Sequence, residues 1–160
     1  MSKTVATTPQ YLFPNRMICG FGDTHPGYLS TNFFIRMIQN AQANGKKEQE
    51  NYFTALLKCL NPDLGNEKTE KKNVRVSVNS FFEDKPLTLN PKVQPGKIVD
   101  YVSPLFYAPN VSWLVQRNGM HPCNSLMISL KGSEGNHMHA NGISMELYGK
   151  GYVLGPDAGI

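Results

Sequence analysis

Apolar residues recur with helical spacing in two neighbouring stretches in the first half of the chain. Residues 32–44 carry apolar side chains three and four positions apart, follow two hydroxyl residues that can cap a helix, and end at Gly45. Residues 47–60 repeat this spacing and end at an Asn-Pro pair. Because few residues separate the two stretches, the pattern predicts a hairpin of two antiparallel helices.

The second half of the chain alternates between apolar and polar positions with the period of a β-strand. Strands are expected at 98–102, 113–117, 125–130, 143–148 and 152–154. For the last two we predict a hairpin whose loop is Gly149-Lys150 and whose register places position 142 opposite 157. Alternation of this kind is typical of an antiparallel sheet with one buried face.

Together these elements predict an α+β fold in which a helical hairpin precedes an antiparallel β-sheet. Three prolines between 84 and 97 discourage regular structure and mark a passage between domains. We therefore expect a helical domain at 1–83, a linker at 84–97 and a β-domain at 98–160. The last residue lies inside the expected β-domain, so we interpret the chain as a fragment of a longer protein.

The composition is that of a globular protein with a modest basic excess. Of the 160 residues, 40% are hydrophobic and 18% are charged, and the net charge is +4. The extra lysines fall in a predicted helix start and a loop, which is typical of a solvated surface, so no nucleic-acid partner is expected. The sequence has no apolar run long enough to span a membrane and no signal-peptide pattern at its start.

The three cysteines, Cys19, Cys59 and Cys123, lack the Cys-x-x-Cys spacing of a zinc ribbon. Their odd number leaves at least one without an intrachain partner, which argues against a disulfide scaffold. No glycine-rich phosphate loop follows a predicted strand, so no nucleotide-type cofactor is expected.

A histidine pair and a carboxylate flank the predicted C-terminal hairpin. His137 and His139 precede the hairpin, Asp157 follows it, and the turn-prone Asn141-Gly142 folds the preceding loop back across its open end. Neutral imidazole and carboxylate are zinc ligands. In an extended segment the two imidazoles share a face but lie about 6.5 Å apart, so one can bind a metal while the other faces a pocket. The other interpretation is a pair of loop histidines in a turn without a metal.

A second group of titratable residues lies in the proline- and glycine-rich loop at 11–28. Asp23, His25 and Tyr28 fall within six residues of one another. Polar side chains on a loop carried by a rigid scaffold are a common location of function. The alternative is structural, with Asp23 or Thr24 capping a helix and the ring of Tyr28 packed.

One run of the sequence resembles a known family signature. The start of the β-domain in the heparinase II/III-like polysaccharide lyases is similar to the run NHMHANGISMELYGKGYVLGPDAG, residues 136–159. The shared features are a His-x-His pair, a strand, a glycine turn and an aspartate in a DPG-like context. Residues 111–130 fit the strands that lead into this signature, and residues 13–60 resemble the last part of the family's helical toroid. The resemblance implies that the chain joins the end of an (α/α) toroid to the start of a β-sandwich.

The resemblance also implies a function. Family members cleave uronic-acid-containing polysaccharides by β-elimination, which implies an acidic polysaccharide as substrate. His137 is implied to face the substrate, with Tyr28 and His25 as candidates for proton transfer. His139 and Asp157 match the family's metal-binding positions, which implies a Zn²⁺ ion with a structural role. The family further implies a periplasmic or secreted location, and we expect the isolated 160 residues to be inactive or barely active.

Two other function classes stay open. A cupin-like metal enzyme also carries His-x-His followed by Glu and Gly, as Glu146 and Gly149 do here, although six residues separate that glutamate from the second histidine. A non-catalytic carbohydrate-binding or structural β-module would use aromatic side chains as a sugar-stacking face. The candidate aromatic residues for such a face are Tyr101, Phe106, Tyr107 and Trp113. The residues favour no particular polymer or oligomeric state.

Overall fold

The computed structural model describes residues 2–20, 27–62, 87–132 and 142–156. The chain divides into two compact units, each made of two stretches: Met1–Val5 with Ser30–Asp100, and Ala6–Leu29 with Tyr101–Ile160. The first unit holds a pair of packed helices and the second a five-stranded antiparallel sheet, which confirms the predicted α+β fold class. Because the stretch 6–29 belongs to the unit of the sheet, the two units are not consecutive in sequence. The domain bounds at 83 and 98 stay a prediction.

The helical hairpin forms where the apolar spacing predicts it. A short helix α1, Ser2–Thr7, opens the chain, and the hairpin consists of α2, Asn32–Ala43, and α3, Lys47–Leu60. The buried apolar faces of the hairpin comprise Phe34, Ile35, Ile38 and Ala41 of α2 and Phe53, Leu56 and Leu57 of α3. Gly45 adopts a φ of +63° just after α2, a conformation that favours glycine and ends the helix. None of the described helices is long and apolar enough to cross a membrane.

The proline-containing stretch that follows the helices is hydrogen-bonded to α3. The Lys58 ammonium donates to the carbonyl oxygens of Asn90 and Val93, at 3.1 and 2.7 Å. The Gly96 N–H donates to the Ala55 carbonyl at 3.1 Å. From residue 87 onward the stretch has no helix or strand before Ile98, as its prolines predict, and these bonds satisfy part of its backbone.

The strand expected at 98–102 is wrong. Ile98–Asp100 instead forms a short 3-10 helix. The Asp100 carboxylate accepts a hydrogen bond from the Lys97 N–H at 3.2 Å, and the Asp100 N–H donates to the Lys97 carbonyl at 2.9 Å. This local pairing occupies backbone groups that a strand would offer to a neighbour.

Five strands form the sheet in the order of the sequence. They are β3, Leu105–Ala108; β4, Trp113–Arg117; β5, Met127–Gly132; β6, Ile143–Gly149; and β7, Tyr152–Gly155. A two-stranded ribbon of β1, Met17–Ile18, and β2, Gly27–Tyr28, precedes them. All neighbouring pairs are antiparallel, and β4 has the predicted bounds. β5 begins two residues later than predicted, and the sequence pattern does not predict β3, a short strand between two prolines.

The C-terminal hairpin forms, but in a different register. Gly149 pairs with Tyr152, so the loop is Lys150-Gly151, whose residues have φ values of 55° and 93°. A two-residue loop with both φ values positive matches the twist of the flanking strands and favours glycine at its second position. An irregularity in β6 then places Leu147 opposite Gly155, whereas the predicted register pairs Leu147 with Tyr152. The predicted loop and register are therefore wrong.

The inner face of the sheet is covered by residues 9–20, which we call the strap. The strap and the sheet together bury a core of Phe13, Cys19, Val115, Met127 and Tyr148. The rings of Phe13 and Tyr148 stack with their centroids 5.6 Å apart. Burial of each large apolar side chain stabilises this unit by about 1.5–3 kcal/mol.

The outer face of the sheet is apolar and open. Its exposed side chains are Leu105, Tyr107, Ile143, Met145, Leu147, Tyr152 and Leu154. Three half-buried aliphatic residues, Leu114, Ile128 and Leu130, lie between them, and Gln116 is the polar residue of this face in the described strands. An apolar patch of this extent is unusual on a soluble protein. A β-sandwich places a second layer against such a face.

Candidate functional site

Tyr28 is the predicted site residue that lies in the described part of the chain. It is the last residue of β2, opposite Met17 of β1, and it is 77% exposed. The structural alternative, in which its ring packs, does not fit this exposure. The other predicted site residues lie outside the described residues: His25, His137, His139 and Asp157.

The segments that carry these residues are attached to one end of the sheet, which we call the Gly132 end. Gly132 pairs with Ile143 where β5 ends and β6 begins, and the segment with the His-x-His pair connects these two strands. Lys131, next to Gly132, donates a hydrogen bond to the Gly20 carbonyl, and the chain that leads to Tyr28 departs from Gly20. β7 runs antiparallel to β6 and so also heads toward this end.

A buried polar cluster lies on the inner face beside the Gly132 end. Lys131 and Glu146 are 2% and 3% exposed, and the ammonium and carboxylate lie 3.4 Å apart. The ammonium also lies 5.3 Å from the centre of the Trp113 ring, a cation–π contact. The Trp113 indole N–H donates to the Ser129 hydroxyl at 2.8 Å. Each charge of the pair thus has an opposite charge beside it in a region that water does not reach.

A second buried cation, Arg117, holds the other end of the strap. Its guanidinium donates to the Gln10 carbonyl, and the Gln10 side-chain oxygen accepts the Ser103 N–H at 2.9 Å. Arg117 is 4% exposed, and its Nε and Nη1 have no hydrogen-bond partner among the described residues. Burial lowers the pKa of Arg117 to about 10, so the group still carries its charge at neutral pH. Cations that donate to main-chain carbonyls therefore fix both ends of the strap.

The aromatic residues proposed as a sugar-stacking face do not share one surface. The Trp113 ring lies against the Tyr11 ring, with centroids 4.1 Å apart, and Lys131 lies over it. Phe106 packs on the inner core, whereas Tyr107, its neighbour in β3, belongs to the outer face. The rings of Phe106, Tyr107 and Trp113 therefore form no common stacking platform.

The described residues contain no group of three histidine, cysteine, aspartate or glutamate side chains placed to hold a metal. Glu146, which the cupin comparison needs as a metal ligand, instead faces the Lys131 ammonium. A buried cation competes with a metal for that carboxylate, so the pairing argues against a cupin-like enzyme.

Cys19 lies among these charged groups with its thiol buried. Burial, aided by the Glu146 carboxylate, raises the pKa of Cys19 to about 12. A hydrogen bond with Ser129 and the charges of Lys131 and Arg117 act in the opposite direction and more weakly. The thiol is therefore protonated at neutral pH and is a poor nucleophile.

Cys19 is expected to make the protein less stable as the pH rises above 9. Its folded-state pKa of about 12 exceeds the reference value of 9.0, so the stability that it contributes is complete below pH 9 and is lost between pH 9 and 12. Cys19→Ser should reduce this loss by up to about 1.4 kcal/mol per pH unit. Urea unfolding from roughly pH 8 to pH 11 measures the slope. Equal slopes for the variant and the wild type above pH 9 would contradict this expectation.

Comparison with known proteins places the chain in a family. The family described as Endo-acting ulvan lyase 2nd domain matches residues 1–91. These residues make up more than half of the 160-residue chain. The chain belongs to this family.

A curated relative of the chain is the protein named Endo-acting ulvan lyase from Formosa agariphila. It is 29% identical over 157 residues, an alignment that covers 92% of this chain and 18% of the relative. The chain thus spans less than a fifth of that relative's length. No solved structure matches the chain. The comparisons confirm a polysaccharide lyase family, as the sequence resemblance implies, and they do not single out the heparinase II/III-like family.

The sequence-based prediction missed the buried charges of the sheet, Arg117, Lys131 and Glu146. In β5 the inner positions are Met127, Ser129 and Lys131, while the outer positions are aliphatic. A lysine at the same spacing as a buried methionine is the signal that points to a polar inner face. The sequence-based prediction states that one face of the sheet is buried and does not say which one.

Proposed function

We propose that the natural polypeptide containing this chain is a lyase that cleaves a uronic-acid polysaccharide of the ulvan type by β-elimination. The observation that carries the proposal is the relative named Endo-acting ulvan lyase, which aligns with 92% of this chain. The domain-family match over residues 1–91 supports it. In architecture we place the polypeptide with the heparinase II/III-like lyases, as a helical toroid followed by a β-sandwich.

The reaction needs a base, an acid and a group that neutralises a carboxylate. The base removes the proton from the carbon next to the uronate carboxylate. The electron pair forms a carbon–carbon double bond, the bond to the 4-linked oxygen breaks, and that oxygen takes a proton from the acid. Because the first proton is weakly acidic, the site must stabilise the charge that develops on the carboxylate.

Three residues are proposed to act on the substrate: His137, Tyr28 and His25. His137 faces the uronate, and Tyr28, with His25 beside it, transfers a proton. The exposure of Tyr28 supports its role, since a phenol open to solvent can meet a polymer without prior unfolding. The attachment of the segments at the Gly132 end supports their assembly into one site.

His139 and Asp157 are proposed to hold a zinc ion. An imidazole nitrogen and a carboxylate oxygen suit zinc, and one or two further groups would complete the tetrahedron. The ion would shape the loop of the His-x-His pair and take no direct part in the reaction. We also propose a periplasmic or secreted location, because the polymeric substrate lies outside the cell.

The test is incubation of the natural polypeptide with ulvan, alginate and a heparin-type polymer, followed by ultraviolet absorbance of the new double bond. We expect the absorbance to rise with ulvan. Residues 1–160 alone should give little or no signal, since they span only 18% of the relative's length. Zinc analysis should find the ion in the natural polypeptide and less of it in His139→Ala. Absence of signal from all three polymers would overturn the lyase proposal, and unchanged zinc in His139→Ala would overturn the metal assignment.

A further inference from the structure

The buried pair of Lys131 and Glu146 has no part in the proposed β-elimination. The two residues are diagonal neighbours on β5 and β6, and both belong to the inner face. Burial of a charged pair is costly, and a pair of apolar residues is often as stable in the same place. Stability alone therefore does not account for the pair, and the groups that it contacts indicate a further role.

Lys131 touches the main chain at the end of the strap. Its ammonium donates to the Gly20 carbonyl, while Glu146 lies 3.4 Å from the same ammonium. The Glu146 carboxylate thus stabilises the Lys131 ammonium, and the ammonium in turn binds the Gly20 carbonyl. Cys19, the residue before Gly20, packs in the buried core with Val115 and Met127 of the sheet, and its N–H donates to the Tyr11 carbonyl within the strap at 2.8 Å. Its burial and the bond from Lys131 to Gly20 fix this end of the strap to the sheet.

The fixed point lies directly beside the ribbon that carries Tyr28. β1 ends at Ile18, immediately before Cys19, and Met17 pairs with Tyr28. Strands of two residues are too short to be stable alone, so the ribbon takes its position from its attachment. The ribbon is attached to the inner face of the sheet through Cys19 and the Gly20 carbonyl on one side and through Met17, which packs against the buried core, on the other.

We propose that the Lys131–Glu146 pair is a positioning element that holds the Gly20 main chain and thereby places the Tyr28 phenol for proton transfer. The proposal rests on the function proposed above, in which Tyr28 transfers a proton. Neither Lys131 nor Glu146 touches the substrate, because both are buried.

The test uses the natural polypeptide with the double substitution Lys131→Met and Glu146→Gln. Removing both charges together avoids leaving one member of the pair as a buried charge without the other, so the variant should fold. We expect kcat on ulvan to fall roughly 10- to 100-fold, because a small displacement of a reacting group has effects of that size. KM should stay within about twofold, since the pair does not bind substrate. Hydrogen exchange of peptides that contain Met17 and Tyr28 should accelerate roughly tenfold or more.

Tyr148→Phe is the matched control. Tyr148 is fully buried on the same inner face, and its hydroxyl donates to the Pro122 carbonyl at 2.7 Å. The substitution removes a buried hydrogen bond without touching the strap end. Both kcat and the exchange of the ribbon peptides should stay within about twofold of the wild type. Where the double variant does not accumulate as folded protein, Lys131→Arg serves, because it keeps a cation beside Glu146 and alters the geometry of the bond to Gly20, with changes in the same direction and of smaller size.

The two readouts separate the failure of this proposal from failure of the proposed function. Wild-type polypeptide without lyase activity overturns the function, while the exchange experiment still tests whether the pair holds the ribbon. Active enzyme with unchanged kcat in the double variant overturns the positioning role, whether or not exchange accelerates. Equal losses of kcat in the double variant and in Tyr148→Phe would also overturn it, since they would reflect stability alone.

Discussion

Replacement of His137 by alanine is expected to lower kcat of the natural polypeptide on ulvan by roughly 10²- to 10⁴-fold, the range for loss of a group that transfers a proton or contacts the reacting uronate. The expectation follows from its proposed position facing the substrate, in the segment that begins at Gly132. Initial rates of double-bond formation give kcat and KM. Zinc content and the unfolding midpoint, measured on the same samples, show whether the variant keeps the proposed zinc ion and the wild-type fold.

His121→Ala is the matched control for this experiment. His121 is exposed and lies in the loop between β4 and β5, at the end of the sheet opposite the Gly132 end. Its Nδ1 accepts the N–H groups of Cys123 and Asn124, each at 3.2 Å, which is a local structural role. Its loss should leave kcat within about twofold. The assignment of His137 fails if its alanine variant retains wild-type kcat, or if both variants lose activity equally.

A charge on the outer face of the sheet is expected to suppress self-association of the 160-residue chain. Met145 lies in the middle of this face and is 57% exposed. Two such faces that meet would bury each Met145, so Met145→Glu removes about 1.5–3 kcal/mol per side chain and adds the cost of a buried charge. The self-association constant, measured by analytical ultracentrifugation, should fall by roughly tenfold or more. Binding of a hydrophobic dye should fall as well.

Phe33→Glu provides the comparison for the outer face. Phe33 is 58% exposed, about as much as Met145, but it lies on α2 and not on the sheet. An isolated exposed apolar residue is ordinary on a protein surface, so its replacement should leave self-association unchanged. If Met145→Glu and Phe33→Glu have the same effect, the outer face has no special role in association.

The helices were predictable because the information for them is local. Phe34, Ile35 and Ile38 lie on one face of any helix with this sequence, and Gly45 provides the left-handed residue that ends it. The predicted bounds of α3, 47–60, agree with the structure. β4 was predictable for a similar reason, since its first three residues, Trp113 to Val115, favour a strand and the turn-forming pair Asn118-Gly119 marks its end.

The sheet was less predictable because alternation shows that two faces differ and does not show which one the strap covers. The aliphatic set that contains Ile128 and Met145 lies on the outer face of the sheet. The strap covers the set that contains Lys131 and Glu146, and it can do so because its Gly20 carbonyl and the two opposite charges satisfy one another. The hydrogen bond from Lys131 to Gly20 joins residues 111 positions apart, so the local pattern of apolar and polar residues does not predict it.

The sequence by itself determined the α+β class, the two main helices, most strands, and the resemblance to polysaccharide lyases that the family match confirms at that level. Tertiary structure alone decided the register of the last hairpin and the return of the strap to the sheet. The physical reason is the separation along the sequence of the residues that interact. Periodicity and capping act over a few neighbouring residues, whereas register and burial depend on distant groups whose charges and hydrogen bonds must be satisfied at once.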